Sequence, residues 1–199
     1  DHRRVPEGSR IELSLQVAAT PPHVAAHILS DANSSNELAR HAEGLFKLNR
    51  VLRKDWSGRL ALKDSDFPQR DAVEHEEFVF SVIPDKPPVV EITEPAKDLE
   101  IASDGQLLME IFAADDYGVA KAEVIVSHGG EKEAVNVFLE PVEKEKTLSH
   151  IIDLSELSLA VGDVVSYHAV VTDNKEPEGQ QARSEIYFIE ILPPEGEEI

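Results

Sequence analysis

The sequence predicts an all-β protein built as two tandem β-sandwiches, and three observations carry that expectation. Apolar and polar residues alternate with a period of two in several runs. Clusters of Gly, Pro, Asn and Asp separate those runs. The order of runs and clusters occurs twice along the chain. In RIELSLQV (10–17), Ile11, Leu13, Leu15 and Val17 share one face, while Arg10, Glu12, Ser14 and Gln16 share the other. That is the pattern of a strand with one buried side. VAKAEVIV (119–126), VVSYHAVV (164–171) and EEFVFSVI (76–83) alternate likewise. Many short strands at this spacing point to Ig-like sandwiches of the fibronectin or cadherin kind.

The two halves can be laid over each other motif by motif. GSRIELSLQVAA (8–19) matches GQLLMEIFAA (105–114), and HVAAHILS (23–30) falls where GVAKAEVIVS (118–127) falls. WSGRLALKD (56–64) corresponds to VVSYHAVVTD (164–173), and EEFVFSVIP (76–84) to SEIYFIEILP (184–193). An internal duplication explains the shared order. The junction lies in VIPDKPPVVEI (82–92), where Pro84, Pro87 and Pro88 stop a ladder strand and stiffen the connection. The expected division is an Ig-like domain at 1–85, a second at 86–193, and an acidic tail at 194–199.

The segment 34–54 supports two readings. Ser34 and Glu37 form a capping-box pattern, and Leu38, Ala42, Leu45, Leu48 and Leu52 fall at helical spacing. The repeat register instead makes two strands with a turn at Gly44, Phe46 and Leu48 pointing inward. The strand reading is taken, with a helix over 35–53 as the alternative.

Tyr167 is expected to be buried, because Val165, Tyr167, Ala169 and Val171 share a strand face. Its hydroxyl then needs a partner, expected near the turn of Gly162 and Asp163.

Composition narrows the function classes. Acidic residues outnumber basic ones 39 to 19, for a formal charge of −20. Such a chain repels phosphate backbones and anionic lipid headgroups, so nucleic acid and membrane surface are not expected partners. There is no cysteine, which excludes disulfides, thiolate nucleophiles and cysteine-built zinc sites. No apolar run approaches the roughly 18 residues that span a bilayer. A first residue other than methionine and the polar end PPEGEEI read as a piece excised from a longer protein.

A set of phrases in the second half carries a family resemblance. They are Pro87-Pro88, Asp115 to Gly118, Gly162-Asp163 followed by Tyr167, Asp173-Asn174, and Arg183-Ser184. In this order the chain resembles the Ig-like repeats of a bacterial membrane-anchored family of unknown function. The match is good over about 82–192. In the first half it is limited to the Gly-Ser strand start and FVFSVIPD. The resemblance implies N-terminal membrane helices in the parent, Ig-like repeats outside the cytoplasm, and genes near MoxR-type ATPases and von Willebrand A-type proteins. It carries over no catalytic residues.

The acidic loops are the main site candidates. In IFAADDYGVAKAEVIV (111–126) the apolar alternation breaks at Asp115, Asp116, Tyr117 and Gly118. Loops after the second and sixth strands of an Ig-like sandwich lie at one end. Asp115, Asp116, Asp173 and Asn174, with Asp85 from the linker, could therefore supply oxygens to a calcium ion at the domain junction. The competing reading is turn chemistry, with side-chain oxygens bonding nearby backbone N–H groups. The turn reading is the expectation, and no cofactor is expected.

Other chemistry is thin. His23 and His27 have an H-x-x-x-H spacing and His41 follows, but on a strand the pair stands too far apart for one metal. Ser149-His150 and Ser166 with His168 lack a third orienting group. Trp56, the one tryptophan, falls at a core position, so no aromatic platform for sugars is expected. The expected function is a non-enzymatic spacer and protein-interaction module of a bacterial envelope protein, located in the periplasm or on the cell surface. A calcium-dependent adhesion or carbohydrate-binding module is the alternative.

Overall fold

A computed structural model describes residues 2–17, 23–30, 35–64, 66–67, 73–137 and 142–194. Ser34 and most of the acidic tail lie outside them. The chain divides into two compact units, Asp1–Asp85 and Lys86–Ile199.

Among the described residues, eight strands belong to the first unit. They are β1 (His2–Pro6), β2 (Ser9–Gln16), β3 (Val24–Leu29), β4 (Ser35–Glu37), β5 (Ala39–Ala42), β6 (Leu45–Leu52), β7 (Trp56–Asp64) and β8 (Val73–Ile83). One sheet runs β1-β8-β7-β3-β4 and the other β2-β6-β5. β1 lies parallel to β8, and the remaining pairs are antiparallel. This is the strand order of an Ig-like sandwich, in which strands B, E and D (here β2, β6 and β5) oppose G, F and C (here β8, β7 and β3). The core between the sheets includes Ala26, Ile28, Leu38, Phe46, Leu52, Trp56 and Phe80.

The segment that could have been a helix forms β4, β5 and β6. Gly44 turns the β5–β6 hairpin at φ +71°, a conformation glycine adopts without steric cost. Of the residues at helical spacing, Leu38 and Leu52 are buried, Leu45 and Leu48 are half-buried, and Ala42 is exposed. They do not share a face. Phe46 is buried, and Leu48 packs at the margin of the same core.

The second unit comprises β9 (Val89–Glu94), β10 (Leu99–Ala102), β11 (Gln106–His128), β12 (Glu131–Val137), β13 (Glu143–Asp153), β14 (Val164–Asp173), β15 (Gln181–Arg183) and β16 (Tyr187–Leu192). A 3-10 turn, Leu154–Glu156, follows β13. β10 lies parallel to β16, as β1 does to β8. The long strand β11 serves two ladders. Its first part, to Ala114, pairs with β9 and β13, and its later part pairs with β14 and β12. Laid strand by strand, β11 does the work of both β2 and β3, β13 that of β6, β14 that of β7, and β16 that of β8. Both units are thus Ig-like sandwiches.

Two expectations need correcting. Asp115 to Gly118 do not reverse the chain between two strands. They form an irregularity at which β11 leaves one ladder and enters the other, with register shifts between Ala114 and Val119. A strand can change direction at such a bulge without a hairpin. Tyr167 is fully buried, as its face predicts, but its hydroxyl donates to the Lys97 carbonyl at 2.9 Å. The Gly162–Asp163 turn is closed by other bonds, Asp163 N–H to Ala160 O and Ala160 N–H to Asp163 Oδ2.

Candidate functional site

The acidic corner of the second unit is built by the crossing of β11 and by the end of β14. Asp115 Oδ2 accepts the backbone N–H groups of Tyr117 at 2.7 Å and Gly118 at 2.6 Å. This is an Asx-type turn, in which one carboxylate oxygen replaces the missing ladder partners. Gly118 completes the corner at φ +137°, where a Cβ would meet Val142 Cγ1 at 2.5 Å. Asn174 pins the corner from β14's side: its N–H donates to Gly118 O at 3.0 Å and its Nδ2 to Tyr117 O at 3.2 Å.

Asp173 is occupied differently. It is 3% exposed, and its Oδ1 accepts Lys175 N–H at 3.0 Å and Gln180 N–H at 2.7 Å. Its Oδ2 accepts Gln180 Nε2 at 3.1 Å. Both oxygens therefore organise the loop between β14 and β15. Asp116 is exposed, and one of its carboxylate oxygens lies within 4.8 Å of one from Asp115. Asp85, the last residue of the first unit, donates its N–H to Glu7 Oε2 at 3.2 Å.

A second cluster lies in the first unit, where the β3–β7 register sets Val24 opposite Asp64. His23 stands just before β3, with Nε2 3.8 Å from Asp64 Oδ2 and Nδ1 3.4 Å from Asp66 Oδ2. One ring nitrogen and one oxygen of each carboxylate lie within 4.8 Å of one another, a spacing that a metal ion could share. Sequence reading missed this arrangement because it paired His23 with His27. Those two are four residues apart on an extended chain, about 13 Å at strand rise.

Ser149 and His150 do not form a serine dyad. They are adjacent on β13, so they point to opposite faces. Burial holds the His150 imidazole below its ordinary pKa. Ser184 has a structural part that its sequence gave no sign of. Its hydroxyl accepts Ala169 N–H at 2.9 Å and donates to Glu185 O at 2.8 Å, bridging the gap between β15 and β16. Trp56 is 8% exposed, with Phe78 at 4.9 Å and the Arg50 guanidinium 4.5 Å over its ring. It belongs to the core rather than to a sugar-binding surface.

The sequence matches, over residues 1–190, the family described as Domain of unknown function (DUF4175). The chain belongs to this family. No curated protein matches the DUF4175 chain. Among solved structures it is similar to the fibronectin(III)-like modules of CbhA from Clostridium thermocellum, with 15% identity, 99% of this chain and 93% of that chain covered, and a TM-score of 0.39. It is also similar to the two Ig domains of DIP-gamma, with 12% identity, coverage of 97% and 94%, and a TM-score of 0.34. A third similarity is to a Ca2+-stabilized adhesin of an Antarctic bacterium that binds ice. There the identity is 13%, the coverage 93% of this chain and 45% of that chain, and the TM-score 0.45. The fold of the DUF4175 chain stands on its own strand order. Among the described residues, no helix is long and apolar enough to cross a membrane.

Proposed function

We propose that this DUF4175 chain is a non-enzymatic spacer and protein-interaction module, displayed outside the cytoplasm by a larger membrane-anchored bacterial protein. One observation carries the interaction half of this reading. On the outer face of the second unit, Leu108 and Ile151 stand directly opposite each other on β11 and β13, 60% and 54% exposed. Scattered apolar residues are ordinary on a surface, but a cross-strand pair makes a small continuous apolar contact. Glu110, two residues along β11, and Glu94, its partner on β9, are exposed beside it. The partner suited to this face presents apolar side chains with Lys or Arg at the rim, in keeping with a chain of charge −20. Open ladder edges offer a second mode of contact, by addition of an extended peptide.

The test places a photo-crosslinking residue at 108 or 151 of the full-length parent in its own cells, with residue 156 as a control. Capture of an envelope protein from 108 and 151 but not from 156 supports the reading. Equal capture from all three positions, or labelling that requires the membrane to be opened to the cytoplasm, refutes it.

A further inference from the structure

We infer that the corner of β11 binds one hard divalent cation of the calcium class, through the carboxylates of Asp115 and Asp116. The inference is independent of the interaction reading above. Its first support is the division of labour within Asp115. This side chain is 9% exposed, and Oδ2 is taken by the two turn N–H groups. Oδ1 is buried and has no hydrogen-bond partner. A buried carboxylate oxygen without a donor is costly, and a bound cation is one way to satisfy it.

Distance is the second support. Calcium holds oxygens at about 2.3–2.6 Å, so two ligands of one ion lie at most about 5 Å apart. Asp115 and Asp116 each bring an oxygen within 4.8 Å of the other. The donors are carboxylate oxygens, and water or backbone carbonyls would complete the shell, which selects a hard ion over zinc or copper. The corner is also rigid. Gly118 fits against Val142, and Asn174 fastens the carbonyls of Tyr117 and Gly118. The ligand set is narrower than the sequence suggested. Asp173 has no oxygen to spare, and Asn174 holds the corner rather than the ion.

Terbium provides the test, because it replaces calcium on oxygen ligands and emits when a nearby tyrosine is excited. Tyr117 follows Asp116 directly. The full chain should show saturable, one-to-one sensitised emission that calcium displaces and sodium at matched ionic strength does not. Asp115→Asn keeps an oxygen for the turn N–H groups, and Asp116→Asn alters only an exposed side chain. Each should weaken binding by about tenfold or more, since affinity follows ligand charge. Asp173→Asn should leave affinity unchanged. Tyr117→Phe should remove the emission while calcium binding persists by calorimetry. Absence of saturable emission overturns the inference. So does emission that survives Asp116→Asn, because it would come from the diffuse counter-ions of an acidic chain.

Discussion

The Tyr167 hydroxyl donates to the carbonyl of Lys97 at 2.9 Å, across 70 residues of sequence. The bond ties the middle of β14 to the bend between β9 and β10. The ring fills the core beneath, 5.7 Å from that of Tyr187. Tyr167→Phe should remove the bond and cost about 1 kcal/mol. Tyr167→Ala should cost about 3–5 kcal/mol by opening a cavity as well. Denaturant titration followed by circular dichroism measures both, and equal midpoints for wild type and Tyr167→Ala would contradict the packing.

The same phenol makes stability depend on alkaline pH. Burial, with smaller contributions from Tyr187 and Asp98, pushes its pKa from 10.0 to about 12. Above pH 10 the unfolded chain releases a proton that the folded chain keeps. This contribution is therefore whole below about pH 10 and is lost as pH rises toward 12. The Tyr187 phenol is also raised, chiefly by burial and Glu185, so absorbance titration should show Tyr167 ionising late beside it, and Tyr167→Phe should reduce the late amplitude by one tyrosine.

Gly118→Ala should destabilise the second unit by about 2–3 kcal/mol, from a disfavoured φ and a collision with Val142. Gly129→Ala is the control. It shares a positive φ but has nothing within 4 Å of its Cβ position, so its cost should be about 1 kcal/mol. Equal midpoint shifts in the two variants would rule out the steric part.

Asp173→Ala should cost about 2–3 kcal/mol, because two backbone N–H groups and an amide lose a buried charged acceptor. Asp173→Asn should cost less, since one oxygen remains to accept. Faster amide exchange at Lys175 and Gln180 in the alanine variant is the site-specific reading to look for.

In the first unit, Arg50→Ala should shift the emission of Trp56 to longer wavelength. The guanidinium over the ring leaves and water takes its place. The expected stability loss is about 0.5–1 kcal/mol. An unchanged spectrum would mean that Arg50 does not cover the ring in solution.

Strand identity was legible because alternation has a direct physical cause: Ile11, Leu13 and Leu15 line one side of β2 as their spacing requires. The repeated motif order was legible too: β7 and β14 hold matching places, as do β8 and β16, although among the described residues the β5–β6 and β9–β11 pairs have no counterpart in the other unit. At 37–53 local propensity pulled toward a helix, and pairing with β2 and β3 decided for strands. The corner was harder to read. A break in alternation at Asp115 looks the same whether the chain reverses or changes ladders, and only the partners on β13 and β14 distinguish the two. The acceptor for Tyr167 was not readable, because nothing local marks Lys97. Within the acidic candidates, sequence gave the residue types but not the occupancy of each oxygen. That occupancy separates Asp115 from Asp173.

The parallel pairing of a short strand with the last one has a mechanical consequence for the first unit, where that short strand is also the first. His2–Pro6 runs alongside Val79–Ile83, and Leu99–Ala102 alongside Ile189–Leu192. In a parallel pair, the start of one strand and the end of the other lie at opposite ends of the ladder. Tension that draws the first unit's beginning and end apart then loads all the rungs together in shear, instead of peeling them one by one. Single-molecule stretching should show a higher rupture force along this direction than when a unit is pulled across its sheets.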